Sequence, residues 1–229
     1  MPRSNKKTQP SFLITAGPTR EYLDPVRFIS NPSTGKMGIA LAEAAVKKGA
    51  KVTLCLSNFL DSLSIGIRTK GFVTAKDLLA LVLSEITNHD ILIMTAAVSD
   101  YRPKKFSYHK KKKTLEKITL ELTRNPDILK TISNKIIREK KECFLVGFAA
   151  ETNNLNEFAR KKLIEKKIHM IIANHVYMEK KGFNSDTNNV KIFTHEKKNA
   201  IASFKGNKKT ISKNILELII KKYNEFIIT

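Results

Sequence analysis

Two rhythms of apolar residues run along the chain. Short apolar runs bounded by Gly, Pro, Asn or Asp predict strands, and stretches with an apolar residue every three or four positions predict helices. The strand-like "SFLITAG" (11–17) leads through a long loop to a helix over 36–48, and "KVTLCLS" (51–57), set off by Gly49, predicts the next strand. "IGIRTKG" (65–71) predicts a short strand. "TAKDLLALVLSEITN" (74–88) predicts a helix that Thr74 can cap, and "DILIMTAAV" (90–98) is apolar on both faces, hence a central strand.

From Tyr101 the pattern lapses. "YRPKKFSYHKKKKTLEK" is basic and poor in apolar residues, which predicts an exposed, mobile basic loop over about 101–116. "KITLELTR" (117–124) then alternates like an edge strand. "NPDILKTISNKIIREKK" (125–141) predicts a helix started by Asn125 or Asp127, with Ile128, Ile132 and Ile136 on one face. "CFLVGFAAE" (143–151) predicts a buried strand, followed by a helix over 153–167 and the strand "IHMIIANH" (168–175). The remainder predicts a GFNSD turn (182–186) and a hairpin of "NNVKIFTHE" and "AIASFKG". A last helix from about Lys208 carries Ile211, Ile215, Leu218 and Ile219 on one side. Alternating strands and helices predict an α/β fold: a Rossmann-like, doubly wound, mainly parallel sheet with a C-terminal β-hairpin and helix. No repeat or Pro/Gly/Ser-rich linker interrupts it, so one domain is expected over 11–229 after a disordered basic tail at 1–10.

Composition narrows the function classes. The longest apolar runs fall far short of the roughly 20 residues of a membrane span. "MPRSNKKTQP" is followed by no signal-peptide core, so a cytoplasmic protein with no membrane partner is expected. Cys55 and Cys143 sit in strand-like runs without a CxxC or histidine neighbour and read as two buried thiols. The net charge is +21, but 34 of the 42 basic residues are lysines scattered along the whole chain, many as KK pairs. That reads as a solvated surface that attracts small phosphate-bearing ligands, with no nucleic-acid partner. The chain contains no GxSxG or HExxH, and its histidines (89, 109, 169, 175, 195) share no spacing, which argues against nucleophilic and zinc catalysis.

Four stretches can carry chemistry. "ISNPSTGKMGIALAEAAVKKGA" (29–50) combines a strand, small residues and a helix N-terminus, the arrangement in which backbone N–H groups and the helix dipole hold phosphate. GxGxxG is absent, and a Walker A loop would need Ser or Thr at Met37 and Gly at Ser30. Both an anion cradle and tight helix–strand packing at Gly35 and Gly38 therefore stand. "TAAVSDYRP" ends the central strand and offers Asp100 to a base or ribose. "VGFAAET" offers Phe148 as a stacking platform or a core residue, and Lys162 and Lys166, at i and i+4, share one helix face. Two alternatives from other classes are an NAD(P)-type Rossmann oxidoreductase and a non-enzymatic polyanion-binding protein. The first lacks GxGxxG and an acid ending "VTLCLSN"; the second rests on charge alone.

"LITAGPTREYLDPVRFISNPSTGKMG", "AAVSDYRP", "NPDIL", "GFAAET" and "GFNSD", in this order over nearly the whole chain, closely resemble the phosphopantothenoylcysteine synthetase family, the phosphopantothenate–cysteine ligases of coenzyme A biosynthesis. The resemblance, to the CTP-dependent bacterial type, implies an amide formed between 4'-phosphopantothenate and L-cysteine through an acyl-cytidylate, with CTP as co-substrate and Mg²⁺. It also implies a homodimer with the site near the subunit boundary. In many bacteria this domain follows a flavin-dependent decarboxylase; the chain is read as the ligase alone, with the decarboxylase as a separate partner.

By the same resemblance Asn31 would hold the reacting carboxylate and then the acyl-cytidylate, and Arg27 would bind phosphopantothenate, a role that suits its planar fork. Ser33, Gly35 and Lys36 would cradle the triphosphate. Asp100, Pro126, Asp127, Ile128, Leu129, Phe148, Lys162 and Lys166 would bind the nucleotide, and Ala96 and Ala97 would line the substrate site. Lys110 falls where the family has a mobile-loop lysine. The usual K-I-K-K is here Lys110-Lys111-Lys112-Lys113, which leaves open which of the four acts. Pro32 stands where the family commonly has His or Ser and removes one N–H from the cradle. Metal ligands stay unassigned.

Overall fold

The computed structural model describes residues 9–57, 66–110, 117–176 and 185–228. In chain order its elements are β1 (Phe12–Ala16), β2 (Arg20–Tyr22), β3 (Phe28–Ser30), α1 (Lys36–Lys47), β4 (Val52–Ser57), β5 (Arg68–Phe72) and α2 (Ala75–Glu85), which runs into a 3₁₀ turn at Ile86–Asn88. There follow β6 (Ile91–Met94), β7 (Tyr101–Pro103), β8 (Leu122–Arg124), α3 (Ile128–Arg138), β9 (Phe144–Glu151), α4 (Leu155–Glu165), β10 (Met170–His175), β11 (Thr187–Thr194), β12 (Ala202–Asn207) and α5 (Lys208–Phe226).

Eight strands form the main sheet in the order β12-β11-β10-β9-β6-β1-β4-β5. β5, β4, β1, β6, β9 and β10 run parallel, and β11 and β12 add an antiparallel hairpin. Counted by appearance, the parallel strands lie 3-2-1-4-5-6, so the winding reverses between β1 and β6. That is where an open α/β sheet leaves a crevice at its carboxyl ends.

Side chains alternate across each strand and build a core on each face. Phe12, Ile14, Leu54 and Ile93 meet α1 and α5 through Leu41, Ala45, Ile215 and Ile219. Leu13, Cys55, Leu92 and Leu145 meet α2, α3 and α4 through Leu78, Ile132 and Leu163. The expected stripe Ile128, Ile132 and Ile136 is buried. On α5 the buried face is Ile211, Ile215, Leu216 and Ile219, and Leu218 is only partly buried beside it. Thr74 caps α2 as expected, through a reciprocal box in which the Asp77 N–H donates to Thr74 Oγ1 at 3.2 Å and the Thr74 N–H donates to Asp77 Oδ2 at 2.9 Å. Asp127 caps α3, and Asn125 instead donates from Nδ2 to the Ser99 carbonyl at 2.8 Å.

Three expectations need correction. β6 stops at Met94 rather than continuing to Val98: the small residues that follow peel off the sheet, tied back by Thr95 Oγ1 donating to the Thr15 carbonyl and by the Ala96 N–H donating to Thr15 Oγ1 at 3.1 Å. Only a Pro18–Ala97 bridge continues the pairing. The alternating stretch 117–124 does not edge the main sheet; its last residues, β8, pair with β7 in a separate ribbon. Alternation specifies a face but not a partner. β7 itself begins inside the segment expected to be loop, of which 111–116 lie outside the described residues, as do Ile65 and the GFN of the GFNSD turn. Among the described residues no helix is long and apolar enough to cross a membrane.

Candidate active site

A cavity of about 730 Å³ opens at the β1/β6 switch point. Its first wall is the loop from Asn31 to Gly35 and the first turn of α1. Gly35 occupies the helix N-cap at φ 68° and ψ −5°, a left-handed conformation that costs a residue with a Cβ about 1–2 kcal/mol. No side chain caps this end and no acid stands in the first turn, so the positive end of the helix faces the cavity. Gly38 serves packing: a Cβ there would lie 2.4 Å from Thr95 Oγ1 and 2.6 Å from Ala16 Cβ. Of the two readings of the glycine loop, tight helix–strand packing holds at Gly38.

Within this wall the Ser33 N–H donates to the Asn31 carbonyl at 2.8 Å, and Ser33 Oγ accepts from the Gly35 N–H at 3.3 Å. Asn31 Nδ2 donates to the carbonyls of Ala97 (3.3 Å) and Val98 (3.1 Å). Its amide nitrogen therefore staples the cradle loop to the segment after β6. Lys36 Nζ pairs with Asp186 Oδ1 at 2.6 Å, which holds the Asp186 carboxyl below the usual carboxylate range.

The second wall is Thr95–Tyr101. The Ser99 N–H donates to Thr19 Oγ1 at 3.0 Å, and the Asn125 N–H donates to the Asp100 carbonyl at 2.8 Å, leaving the Asp100 side chain exposed. The third wall joins Pro126–Leu129 to the α4 lysines. Lys166 Nζ lies 2.9 Å from Asp127 Oδ2, and Lys162 Nζ lies 2.7 Å from Glu151 Oε1, whose side chain is buried. Phe148 is half-buried; it packs on the core and also lines the cavity.

Every residue assigned a binding or catalytic role from the sequence lines this cavity except Arg27 and Lys110; Pro32 is not in the lining. Arg27 sits at the turn between β2 and β3 with its guanidinium on the buried Asp24, at 3.0 Å from Nε and 2.6 Å from Nη2. Lys110 is exposed, and Lys111 to Lys113 lie outside the described residues. Sequence reasoning missed Arg124, Asn174, Asn188 and Lys208 in the cavity wall. The only local signal for Lys208 is a lysine opening a helix at the end that disfavours cations.

Lys36, Arg124, Lys162, Lys166 and Lys208 line the cavity with Asp100 and Asp127, and Asp186 and Glu151 pair with Lys36 and Lys162 at its margin, so the cations exceed the carboxylates by one and the balance favours anions. Burial, with the charge of Lys36 second, pushes the Lys208 ammonium down. Neither cysteine is available as a nucleophile: both are buried, and burial pushes their thiols up to about 12. Among the described residues no cluster of three or more His, Cys, Asp or Glu could hold a metal. The arrangement can neutralise and position polyphosphate and carboxylate groups.

The family model of the DNA/pantothenate metabolism flavoprotein C-terminal domain matches residues 8–223. The chain belongs to this family. The coenzyme A biosynthesis bifunctional protein CoaBC of Bacillus subtilis (strain 168) is 50% identical over 188 residues, 79% of this chain and 44% of that protein. Its counterpart from Vibrio parahaemolyticus is 42% identical over 209 residues, 90% of this chain and 51% of that protein. The chain spans about half the length of the curated relatives it matches. The crystal structure of the C-terminal domain of a CoaBC protein superposes with a TM-score of 0.76 at 37% identity, covering 94% of this chain and 96% of that one. The fold class expected from the sequence is the fold of this family.

Proposed function

We propose that the chain is a phosphopantothenate–cysteine ligase that uses CTP. The observation that carries the reading is the convergence, at one crevice, of residues from four separate sequence stretches (31–38, 94–101, 124–129 and 147–150) with Lys162 of α4 and Lys166 at its C-cap. The carboxylate of 4'-phosphopantothenate attacks the α-phosphorus of CTP; an O–P bond forms and the bond to the β-phosphate breaks, releasing pyrophosphate. The cysteine amine then forms the C–N bond, loses a proton, and CMP leaves with the acyl C–O electrons. Neither step needs a protein nucleophile. Both need charge neutralised and reactants aligned.

In this reading the α1 N-terminus, Ser33 and Lys36 receive the triphosphate, and Phe148 and the Pro126–Leu129 segment flank the cytosine. The carboxylates of Glu151 and Asp127 hold Lys162 and Lys166 in place for the nucleotide. Asn31 aligns the reacting acid by fixing the loop that carries it to Ala97 and Val98. Mg²⁺ would be held by phosphate oxygens with Asp100 as the one carboxylate of the lining not already paired with a lysine, since both Asp127 oxygens face Lys166 Nζ and magnesium is commonly held by one or two carboxylates and substrate phosphates. When bound it neutralises phosphate charge.

A homodimer is part of the proposal. The β2–β3 hairpin packs on β7, and together they leave Val26, Phe28, Phe106, Tyr108, Leu120 and Leu122 exposed, a set of apolar side chains that a second copy would cover. Arg27 lies on this hairpin, so a phosphate contact from Arg27 would be made at the subunit boundary. A cytoplasmic location accompanies the reading.

The test is incubation with CTP, Mg²⁺, phosphopantothenate and cysteine, followed by mass spectrometry for CMP and the amide. Absence of both products overturns the activity, equal kcat/KM with ATP overturns the choice of nucleotide, and an active monomer by light scattering overturns the dimer.

A further inference from the structure

A second cavity, of about 250 Å³, lies at the amino ends of β9 and β10, the opposite end of these strands from the candidate active site. The last turns of α3, the start of β9, the turn after α4 and the end of α5 enclose it. Ile136, Ile137, Leu145 and Phe226 give it apolar walls, and no acidic residue belongs to the lining. Three lysines do: Lys140, Lys141 and Lys167.

Two of these lysines hold their places at a conformational cost. Lys140 has φ 51° and Lys167 φ 50°, in the left-handed region that glycine adopts most easily. Each follows a helix that closes in the same manner. The Lys140 and Lys141 N–H groups donate to the Ile137 and Ile136 carbonyls at 3.2 and 3.0 Å, and the Lys167 and Ile168 N–H groups donate to the Ile164 and Leu163 carbonyls at 3.1 and 3.3 Å. Glycine would serve that closure better, so capping alone does not call for lysine. Both side chains are exposed, and among the described residues neither ammonium is paired with a carboxylate; the nearby Glu139 and Glu165 pair with Lys135 and Lys161. Lys141 is anchored by donating to the Ile86 carbonyl at 2.8 Å, and the carboxylates whose charge reaches it, Asp90 and Glu139, are engaged by Ser11 and Lys135. The negative ends of the two helices together weigh about one charge against three ammonium groups.

The fourth polar group is His169. Its Nδ1 accepts the Leu145 N–H at 2.8 Å, and a backbone N–H can only donate, so the proton of the neutral ring sits on Nε2. Among the described residues nothing accepts from that Nε2, and the ring lines the cavity with its edge against Phe226, 4.6 Å between centroids. The cavity thus offers donors and apolar surface, and what it suits is a compact acceptor.

We propose that this second cavity binds a small organic anion, a compact apolar or aromatic body bearing one carboxylate, whose oxygens accept from Lys140, Lys167 and the His169 Nε2–H while the body rests on Ile137 and Phe226. The site is separate from the nucleotide cavity and does not depend on the ligase reading. α3 and α4 reach both cavities, with Ile128 and Lys166 in the first and Ile137 and Lys167 in the second, so an occupant touches two of the supports of the active site.

The experiment is saturation-transfer NMR titration of the full chain at neutral pH with benzoate, and with benzamide as its uncharged counterpart. Benzoate is expected to saturate with a Kd of about 0.1–1 mM and to bind at least about tenfold more tightly than benzamide. The double variant Lys140→Gly, Lys167→Gly removes both cations and relieves both strained residues, so it is expected to fold with a Tm at or above that of the parent. It should bind benzoate at least about tenfold more weakly and shift benzamide by no more than about twofold. No saturation by ~10 mM benzoate, equal affinity for the two probes, or an unchanged benzoate Kd in the folded glycine variant overturns the proposal. Should that variant not fold, the single changes Lys140→Asn and Lys167→Asn decide, since asparagine tolerates the left-handed region; each is expected to weaken benzoate by about three- to tenfold, and an unchanged Kd in both overturns the proposal.

Discussion

Gly38→Ala tests how closely α1 is seated on the sheet, and through it how the phosphate cradle is positioned. The added Cβ would stand 2.4 Å from Thr95 Oγ1, 2.6 Å from Ala16 Cβ and 3.0 Å from the Thr15 carbonyl oxygen. Thr95 cannot swing away freely, because its hydroxyl donates to that same carbonyl. The helix must therefore lift, and overpacking of this kind costs about 1–3 kcal/mol. Alanine returns at most ~1 kcal/mol of helix propensity. With three contacts at or below 3.0 Å the cost falls in the upper part of the overpacking range, about 2–3 kcal/mol, so the net loss is about 1–2 kcal/mol and should lower Tm by roughly 2–8 °C for a chain of this length. Urea unfolding is expected to show a lower midpoint with an unchanged m-value. CTP titration should show weaker binding, because the lifted first turn carries Lys36 and the free N–H groups with it. A variant as stable as the parent, or more so, would show that propensity wins and that α1 does not sit on β1 and β6 as closely as described.

Asn31→Asp sets a carboxylate against the Ala97 and Val98 carbonyls, losing two hydrogen bonds worth about 1 kcal/mol each; the fold should persist at a lower Tm with turnover stalled, and near-normal product formation would remove Asn31 from the mechanism. Lys162→Ala strips the buried Glu151 of its cation and should cost about 1–2 kcal/mol as well as nucleotide affinity. Lys161→Ala, exposed and 3.9 Å from Glu165, is the control that should change neither, and equal effects would refute the distinction. Burial, with His195 second, pushes His169 down from 6.5 to about 4, and its Nδ1 accepts the Leu145 N–H at 2.8 Å. The folded state thus binds fewer protons than the unfolded one between these values, so this contribution is full above pH ~6.5 and is lost, by about 2–3 kcal/mol, as pH falls toward ~4. His169→Gln should flatten the stability profile in that window, and an NMR titration of His169 near its ordinary value would refute it. Both buried thiols should resist a thiol reagent at pH ~8 and react only on unfolding; native-state labelling at the rate of a free thiol would contradict their burial.

The apolar spacing of 125–141 marks the buried face of α3, because residues at i and i+4 share a helix side whatever lies opposite. The Thr74 box is equally local: donor and acceptor are three residues apart. The cradle loop and the ends of β6 and β9 are legible for a related reason, since small residues beside a helix start permit close backbone approach. The placement of Phe148 and of Gly35 against Gly38 is not legible this way, because each depends on what stands across the cavity.

What the sequence determined by itself is the alternation of strand and helix, the faces each must bury, and the residue types gathered where strands end. These follow from bonded geometry and short-range periodicity. Tertiary structure alone decided that the strands lie 3-2-1-4-5-6, that β6 ends at Met94, that 117–124 joins a separate ribbon, that Glu151 and Asp127 hold the α4 lysines, and that Lys208 meets Lys36 across two helices. Each of these joins positions far apart in the chain, and a pairing of that kind is chosen by the total burial and hydrogen bonding of the closed fold, which no local window contains.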